Sequence, residues 1–298
     1  MSILDPIAVF LAVLLVSGNN ISACVGTAIG AGVLSRKFAL GLGATGFTVG
    51  LVTQGQNMVR TAQILLPNSD QLSVFLALLA IVLLFSFGKI IRVPLSVTMS
   101  LVGLLIGVSF AKGAPFNQIF VASVVSMWFV APIVAIIAVY FLVRAMSKSN
   151  PNNLWSRIRT YKMLLIILSF LSAFVVGGNS VSLIVAVGGF DYLTVGIGIA
   201  ATYIGSFYLS SGQIKRVGQD LFLLRYSNAL ATLLVSTILF EIATYLAIPL
   251  SSTQTLSSGI YGAAVSYSRR YISLTPFFVI ILGWVIAPLA SFAIGFLL

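Results

Sequence analysis

The stretch "LLVSGNNISACVGTAIGAGV", Leu14 to Val33, decides how this chain is read. Apolar residues from Ile7 to Val16 run into Ser17-Gly18-Asn19-Asn20 and then resume. A buried amide without a partner costs roughly 1–3 kcal/mol on mutational scales, so two adjacent asparagines in an apolar span need a reason. The reason begins with a partner. "SGNNIS" (Ser17–Ser22) returns as "GGNSVS" (Gly177–Ser182). "VPLSVT" (Val93–Thr98) returns as "IPLSST" (Ile248–Thr253), and "WFVAP" (Trp128–Pro132) as "WVIAP" (Trp284–Pro288). "TQGQNMVRT" around Gly55 loosely matches "SSGQIKRVG" around Gly212. The offsets, taken in chain order from the residue numbers, are 160, 157, 155 and 156. Four matches in one order at nearly one offset indicate a duplication.

Composition says where such a chain lives. It has 298 residues, 59% hydrophobic and 7% charged, with mean hydropathy +1.13. Soluble domains carry roughly a quarter charged residues, so this is a polytopic membrane protein. The apolar runs are continuous rather than alternating, which excludes a β-barrel. Ten hydrophobic segments are expected, at about 6–33, 38–59, 71–87, 93–111, 117–146, 163–190, 192–212, 221–248, 249–267 and 271–298. The polar run Ser147–Lys162 reads as a cytoplasmic loop between a first repeat over 1–146 and a second over 163–298. Asp5 stands where a cleaved signal would carry basic residues.

Net charge is +11. In a soluble protein that would suggest nucleic acid; here the basic residues sit in short connections and report topology instead. With the N-terminus outside and every segment crossing, one side holds Arg36, Lys37, Lys89, Arg92, Arg144, Lys148, Arg157, Arg159, Lys162, Lys215, Arg216, Arg225, Arg269 and Arg270. The other holds Arg60 and Lys112. That division, 14 against 2 of the 16 basic residues, predicts a plasma-membrane protein with both termini outside. Five crossings per repeat invert the second relative to the first. The expected fold is therefore all-α and polytopic: two inverted-topology repeats of about five hydrophobic segments, with broken or re-entrant helices at the centre. Secondary transporters recurrently use this plan.

Histidine is absent, one cysteine (Cys24) lies within a span, and acids total five. His-based zinc sites, Ser-His-Asp triads and disulfides within the chain are excluded, and little remains for an enzyme or a resident cofactor. Gly18 and Gly177-Gly178 weaken helix where Asn and Ser compete for backbone bonds. Small residues there either allow close helix packing, as in Gly26-x-x-x-Gly30, or open backbone toward a site. The matched placement favours a site. Pro94-Leu95-Ser96-Val97-Thr98 and Pro249-Leu250-Ser251-Ser252-Thr253 read as helix starts whose N–H groups, hydroxyls and positive dipole ends form an anion site without Lys or Arg. A plain interfacial helix start is the alternative. Trp128…Pro132 and Trp284…Pro288 read as structural anchors and kinks. Glu241 is the one acid well inside a span, either a protonatable coupling group or a structural hydrogen-bonder; its repeat counterpart is about Ser86.

These residues resemble the inorganic phosphate transporter (PiT) family, which carries a Gly-Ala-Asn-Asp motif in each half and then a Pro-Val-Ser-Thr-Thr-His motif. Gly18-Asn19-Asn20 and Gly177-Gly178-Asn179-Ser180 match the first; Pro94 to Met99 and Pro249 to Gln254 match the second. The continuation Gly26–Leu40 is similar too. The resemblance implies an ion-coupled secondary transporter of inorganic phosphate, a homodimer, with substrate and cation between the halves. It assigns Asn20, Ser96, Thr98, Ser180, Ser251, Ser252 and Thr253 to substrate, Asn19 and Asn179 to a cation, and leaves Glu241 for proton coupling. The motif aspartates are replaced by Asn20 and Ser180, the histidines by Met99 and Gln254, and one hydroxyl by Val97. Losing two carboxylates leaves Na+ and H+ both open as coupling ions. It also brings sulfate close behind phosphate, because sulfate only accepts hydrogen bonds whereas phosphate keeps an O–H that wants an acceptor. A passive anion channel built on the same site is the remaining alternative.

Overall fold

The computed structural model describes residues 4–67, 70–90, 95–115, 117–148, 154–210, 226–267 and 274–298. Pro94, Arg92, Lys215, Arg216, Arg225, Arg269, Arg270 and the repeat element at 211–218 lie outside them, as does the side chain of Lys89. Among the described residues every regular element is helical. The first repeat holds α1 (Leu4–Gly30), α2 (Arg36–Gln54), α3 (Gln56–Leu65), α4 (Gln71–Ile90), α5 (Val97–Ala111) and α6 (Gln118–Lys148). The second holds α7 (Leu154–Val176), a π-helical turn (Gly177–Val181), α8 (Ser182–Val187), α9 (Tyr192–Tyr208), α10 (Tyr226–Tyr245), α11 (Ser252–Tyr267) and α12 (Leu274–Leu297). The fold is the expected all-α, multi-pass arrangement of two inverted repeats.

Asp5–Gly30, Gln118–Lys148, Trp155–Val187 and Tyr226–Tyr245 are long and apolar enough to cross a bilayer. The 15 residues of α5 and the 16 of α11 are not. At ~1.5 Å per residue they reach about 22–24 Å, short of a ~30 Å hydrocarbon core. Phe129, Ile133, Ile137, Phe141 and Leu289 face outward on α6 and α12, a belt suited to hydrocarbon and not to water.

The repeats interlock by exchange. Helix α2 packs on α7 and the π turn, and its counterpart α9 packs on α1. Helix α5 packs on α12, and its counterpart α11 packs on α6. Glycines bring these backbones together. A Cβ added at Gly50 would lie 1.8 Å from the Phe174 carbonyl oxygen, and one at Gly107 would lie 2.2 Å from that of Phe292. The mirrored contact is Gly262 against Ile136 O, at 2.4 Å. Without a hydrophobic force between helices in lipid, such close approach is what holds them.

The expected breaks differ between the repeats. In the second, the chain leaves α-helical geometry at Gly177–Val181. In the first, α1 runs unbroken through Ser17-Gly18-Asn19-Asn20. Gly18 serves packing instead: a Cβ there would meet Leu209 Cβ at 2.6 Å and Gly205 O at 2.8 Å on α9. Helix α7 begins at Leu154, so residues 154–162 of the polar run are helical rather than loop.

Outside the spans, Lys112 after α5 donates to Asp70 and Ser73 before and in α4. The Lys112 ammonium, then the Ser73 hydroxyl, hold the Asp70 carboxyl down at about 2. A lowered carboxyl pKa means stability that is fully present above the ordinary aspartate range, ~3.9, and is lost as pH falls toward the folded value. We therefore expect Lys112→Met to lower the melting temperature of the solubilised protein slightly at neutral pH. The difference from the parent should close as pH approaches about 2.

Candidate functional site

Ser96 caps α5. Its backbone is extended (φ −89°, ψ 112°) and its hydroxyl accepts from Met99 N at 3.3 Å. Ser251 does the same for α11, accepting from Gln254 N at 3.3 Å. The two caps meet: Ser96 Oγ donates to Ser251 Oγ at 2.8 Å. Residues 155 apart in sequence, each preceding a helix, thus bring two helix N-termini to one point. Each N-terminus presents unpaired N–H groups and about half a positive charge, so two facing each other repel unless an anion lies between them.

Hydroxyls surround that point. Thr253 Oγ1 lies 3.2 Å from Ser251 Oγ, and Thr98 Oγ1 donates to Ser180 Oγ at 3.2 Å. Ser96, Thr98, Ser180, Ser251 and Ser252 are all buried. Among the described residues no Lys or Arg bonds to any of them. Ser252 opens α11 beside the cluster without a hydrogen bond to it among those described.

The π turn explains how adjacent residues serve two elements. Ser182 Oγ donates to Gly177 O at 2.8 Å, five residues back, beside the Ser182 backbone N–H that bonds the same carbonyl, so the side chain reinforces the wider turn. Asn179 then faces one way. Its Nδ2 donates to Ile248 O at 2.9 Å and Thr244 Oγ1 at 3.2 Å, and its Oδ1 accepts from Leu250 N at 3.0 Å. Ser180 faces the other way, toward Thr98. Such turns recur at functional sites. With these three bonds Asn179 tethers the strand of chain ahead of α11 and so sets the position of Ser251.

The first-repeat asparagines share no hydrogen bond with this network among the described residues. Asn19 Nδ2 donates to Asn20 Oδ1 at 3.1 Å, and Asn20 Nδ2 is buried with no partner among the described residues. No hydrogen bond joins Asn20 to Ser96, Thr98, Ser180 or Ser251 among those described. A free buried donor is nevertheless what an anion site would hold ready.

One participant escaped the sequence reading. Gln54, at the end of α2, donates through Nε2 to Glu241 Oε1 at 2.8 Å. Gln54 Oε1 and Glu241 Oε2 are buried and unpartnered among the described residues. The signal was present, since Gln54 precedes the Gly55 of a repeated element, but no pairing rule links it to residue 241. Gln254 donates to Trp128 O at 2.8 Å while Trp128 Nε1 donates to Pro249 O at 3.3 Å. Trp128 is thus a strut for the second helix start.

Among the described residues no three of His, Cys, Asp and Glu gather where a metal could bind.

A protein of Methanocaldococcus jannaschii named "Putative phosphate permease MJ0630" is 25% identical over 99% of this chain and 96% of its own. The sulfate permease CysP of Bacillus subtilis is 25% identical over 95% of this chain and 83% of its own. The solved structure of a sodium-dependent phosphate transporter superposes with a TM-score of 0.84 over 99% of this chain and 98% of that one. At 14% identity that likeness shows the fold alone. The sequence profile of the phosphate transporter family matches residues 16–159 and again residues 155–295. Matched twice and over nearly its whole length, the chain belongs to the phosphate transporter family.

Proposed function

We propose that this chain is a secondary transporter of an inorganic oxyanion, phosphate first, binding it between the two repeats and releasing it by alternating access. The observation that carries the reading is the Ser96–Ser251 contact, 2.8 Å, which aims two helix N-termini and their hydroxyls at one buried point. Hydroxyls and backbone N–H groups bind an anion at a helix start without a basic side chain. Sulfate is the second substrate. A site with Asn20 and Ser180 in place of carboxylates has lost the acceptors that a phosphate O–H prefers, and one relative of similar identity is a sulfate permease. In this reading the substrate ligands are Asn20, Ser96, Thr98, Ser180, Ser251, Ser252 and Thr253. For a cation, Asn19 offers only a neutral oxygen on the unbroken α1 and Asn179 Oδ1 already accepts from Leu250 N, too little charge for strong sodium coupling. The protein sits in the plasma membrane as a homodimer with both termini outside.

Glu241 is then the coupling group. It is half-buried, holds one hydrogen bond from Gln54 and keeps a second oxygen free. A proton carried on the free Oε2 would leave Oε1 able to accept from Gln54 as before. We expect Glu241→Gln to retain folding and flatten the pH dependence of uptake; an unchanged pH profile would show that protons couple elsewhere.

Proteoliposomes holding the purified protein test the whole reading. Labelled phosphate and sulfate should accumulate against their gradients when an inward proton gradient is imposed, and only weakly respond to sodium. Equilibration without accumulation would make the protein a channel. Absence of saturable uptake of both anions, from protein shown to be folded, would end the proposal.

A further inference from the structure

Helix α10 carries a polar ridge that the site does not use. Asn228, Thr232 and Ser236 follow one another at intervals of four, the ridge spacing of a helix surface. They are 0%, 0% and 5% exposed. Asn228 Nδ2, Thr232 Oγ1 and Ser236 Oγ all lack a hydrogen-bond partner among the described residues, and α11 packs against α10. The seam between the helices is close. A Cβ added at Gly259 of α11 would lie 3.0 Å from Thr232 Cγ2 and 3.7 Å from Ser236 Oγ. The ridge ends at Thr244, which receives Asn179 of the site at 3.2 Å. Phe240, buried, closes the gap between Ser236 and Thr244.

Hydroxyls between membrane helices usually serve as glue, bonded across the interface or back to the carbonyl four residues earlier. Others on α10 do so: Thr237 bonds Leu233 O at 2.7 Å and Thr244 bonds Phe240 O at 2.8 Å. The ridge groups do neither. The other repeat supplies the control. Subtracting 155 places Ser73, Ala77, Ile81 and Phe85 on the same ridge of α4. Ser73 is engaged with Asp70 and Lys112, while Ala77, Ile81 and Phe85 are buried and apolar. Duplicated helices in mirrored places therefore differ along this ridge, and the packing of α4 is achieved without polar groups at 77, 81 and 85.

We propose that the α10–α11 seam is a permeation route, closed in this conformation and hydrated in the opposite one, along which a hydrated oxyanion passes between one membrane face and the Ser96–Ser251 site. Every ridge group can donate a hydrogen bond, which suits phosphate or sulfate. The mirrored α4–α5 seam is sealed. This inference rests on the transport reading above.

Cysteine accessibility tests it in the full-length protein, reconstituted and carrying Cys24→Ala. Thr232→Cys and Ser236→Cys are treated with a membrane-impermeant thiosulfonate, and the mass shift is followed with and without phosphate or sulfate. Asn228→Cys reports the same ridge should either of these variants fold poorly. We expect labelling from one face only, slowed by the anion. It should be at least about tenfold faster than at Ala77→Cys and Ile81→Cys, because a minor open state exposes only one seam. Equal rates at mirrored positions, or no labelling at 228, 232 and 236 in protein that still takes up anion, would overturn the route. Seam labelling of the expected pattern without uptake of either anion would keep the route and overturn the substrate reading.

Discussion

Ser96→Ala combined with Ser251→Ala is expected to abolish saturable oxyanion uptake while leaving a folded protein. Both hydroxyls meet at 2.8 Å, and each also accepts from its own helix, Met99 N and Gln254 N, at 3.3 Å. Removing both takes away two donors to a bound anion and loosens two helix starts at once. A hydrogen bond to a charged group is worth ~1.5–3 kcal/mol, so each single variant should raise KM by roughly 10- to 150-fold. The double variant should fall below detection. Folding should survive better than binding, because losing an N-cap costs about 0.5–2 kcal/mol and both caps lie within packed helices. Thr98→Val, Ser180→Ala, Thr253→Val and Asn20→Ala should each reduce uptake less. Near-normal uptake in those four would place the site elsewhere. Uptake in proteoliposomes beside size-exclusion profiles of the same preparations separates lost binding from lost fold.

Gly50→Val is expected to yield no correctly folded protein. At Gly50 even a methyl group would sit 1.8 Å from Phe174 O and 2.9 Å from Gly178 N, so α2 would have to retreat from α7 and from the π turn. Backbone cannot yield as a flexible side chain can. Overpacking costs ~1–3 kcal/mol where a core can shift, and more where it cannot. The retreat would also displace Gln54, four residues on, from Glu241. Gly50→Ala should be folded in part, with a melting temperature well below the parent. The control is Gly196→Ala on α9, where an added Cβ has no neighbour within 4 Å; that variant should match the parent or exceed it, since alanine favours helix by up to about 1 kcal/mol. Equal melting temperatures for the two alanine variants would mean that close approach at Gly50 contributes little.

The helix starts were legible because capping is local chemistry: a proline, then serine, then an apolar run is enough to expect one. The repeat made them a pair, and charge counting turned one copy over. Gly18 was misread because the signal for weak helix and the signal for close packing are the same residue. In α1 the glycine lies against Gly205 O and Leu209, and the helix continues. At Gly177-Gly178 the same residue type, packed against Phe47 O and Gln54, accompanies a π turn. No rule of spacing tells these apart, because the difference lies in what faces each helix. Asn179 shows the same limit. The motif placed it near a cation, and its three bonds to 244, 248 and 250 make it a tether.

Sequence alone determined the membrane setting, the duplication, the inversion and the two hydroxyl-bearing helix starts, since each follows from composition, order or local capping. Tertiary structure decided that Ser96 meets Ser251, that Ser180 meets Thr98, that Gln54 holds Glu241, and that one of two mirrored seams is polar. Each of those joins residues that are from 82 to 187 positions apart or depends on which faces oppose. Exchange of helices between the repeats sets those distances, and a linear pattern of residue types does not encode the register of one helix against another.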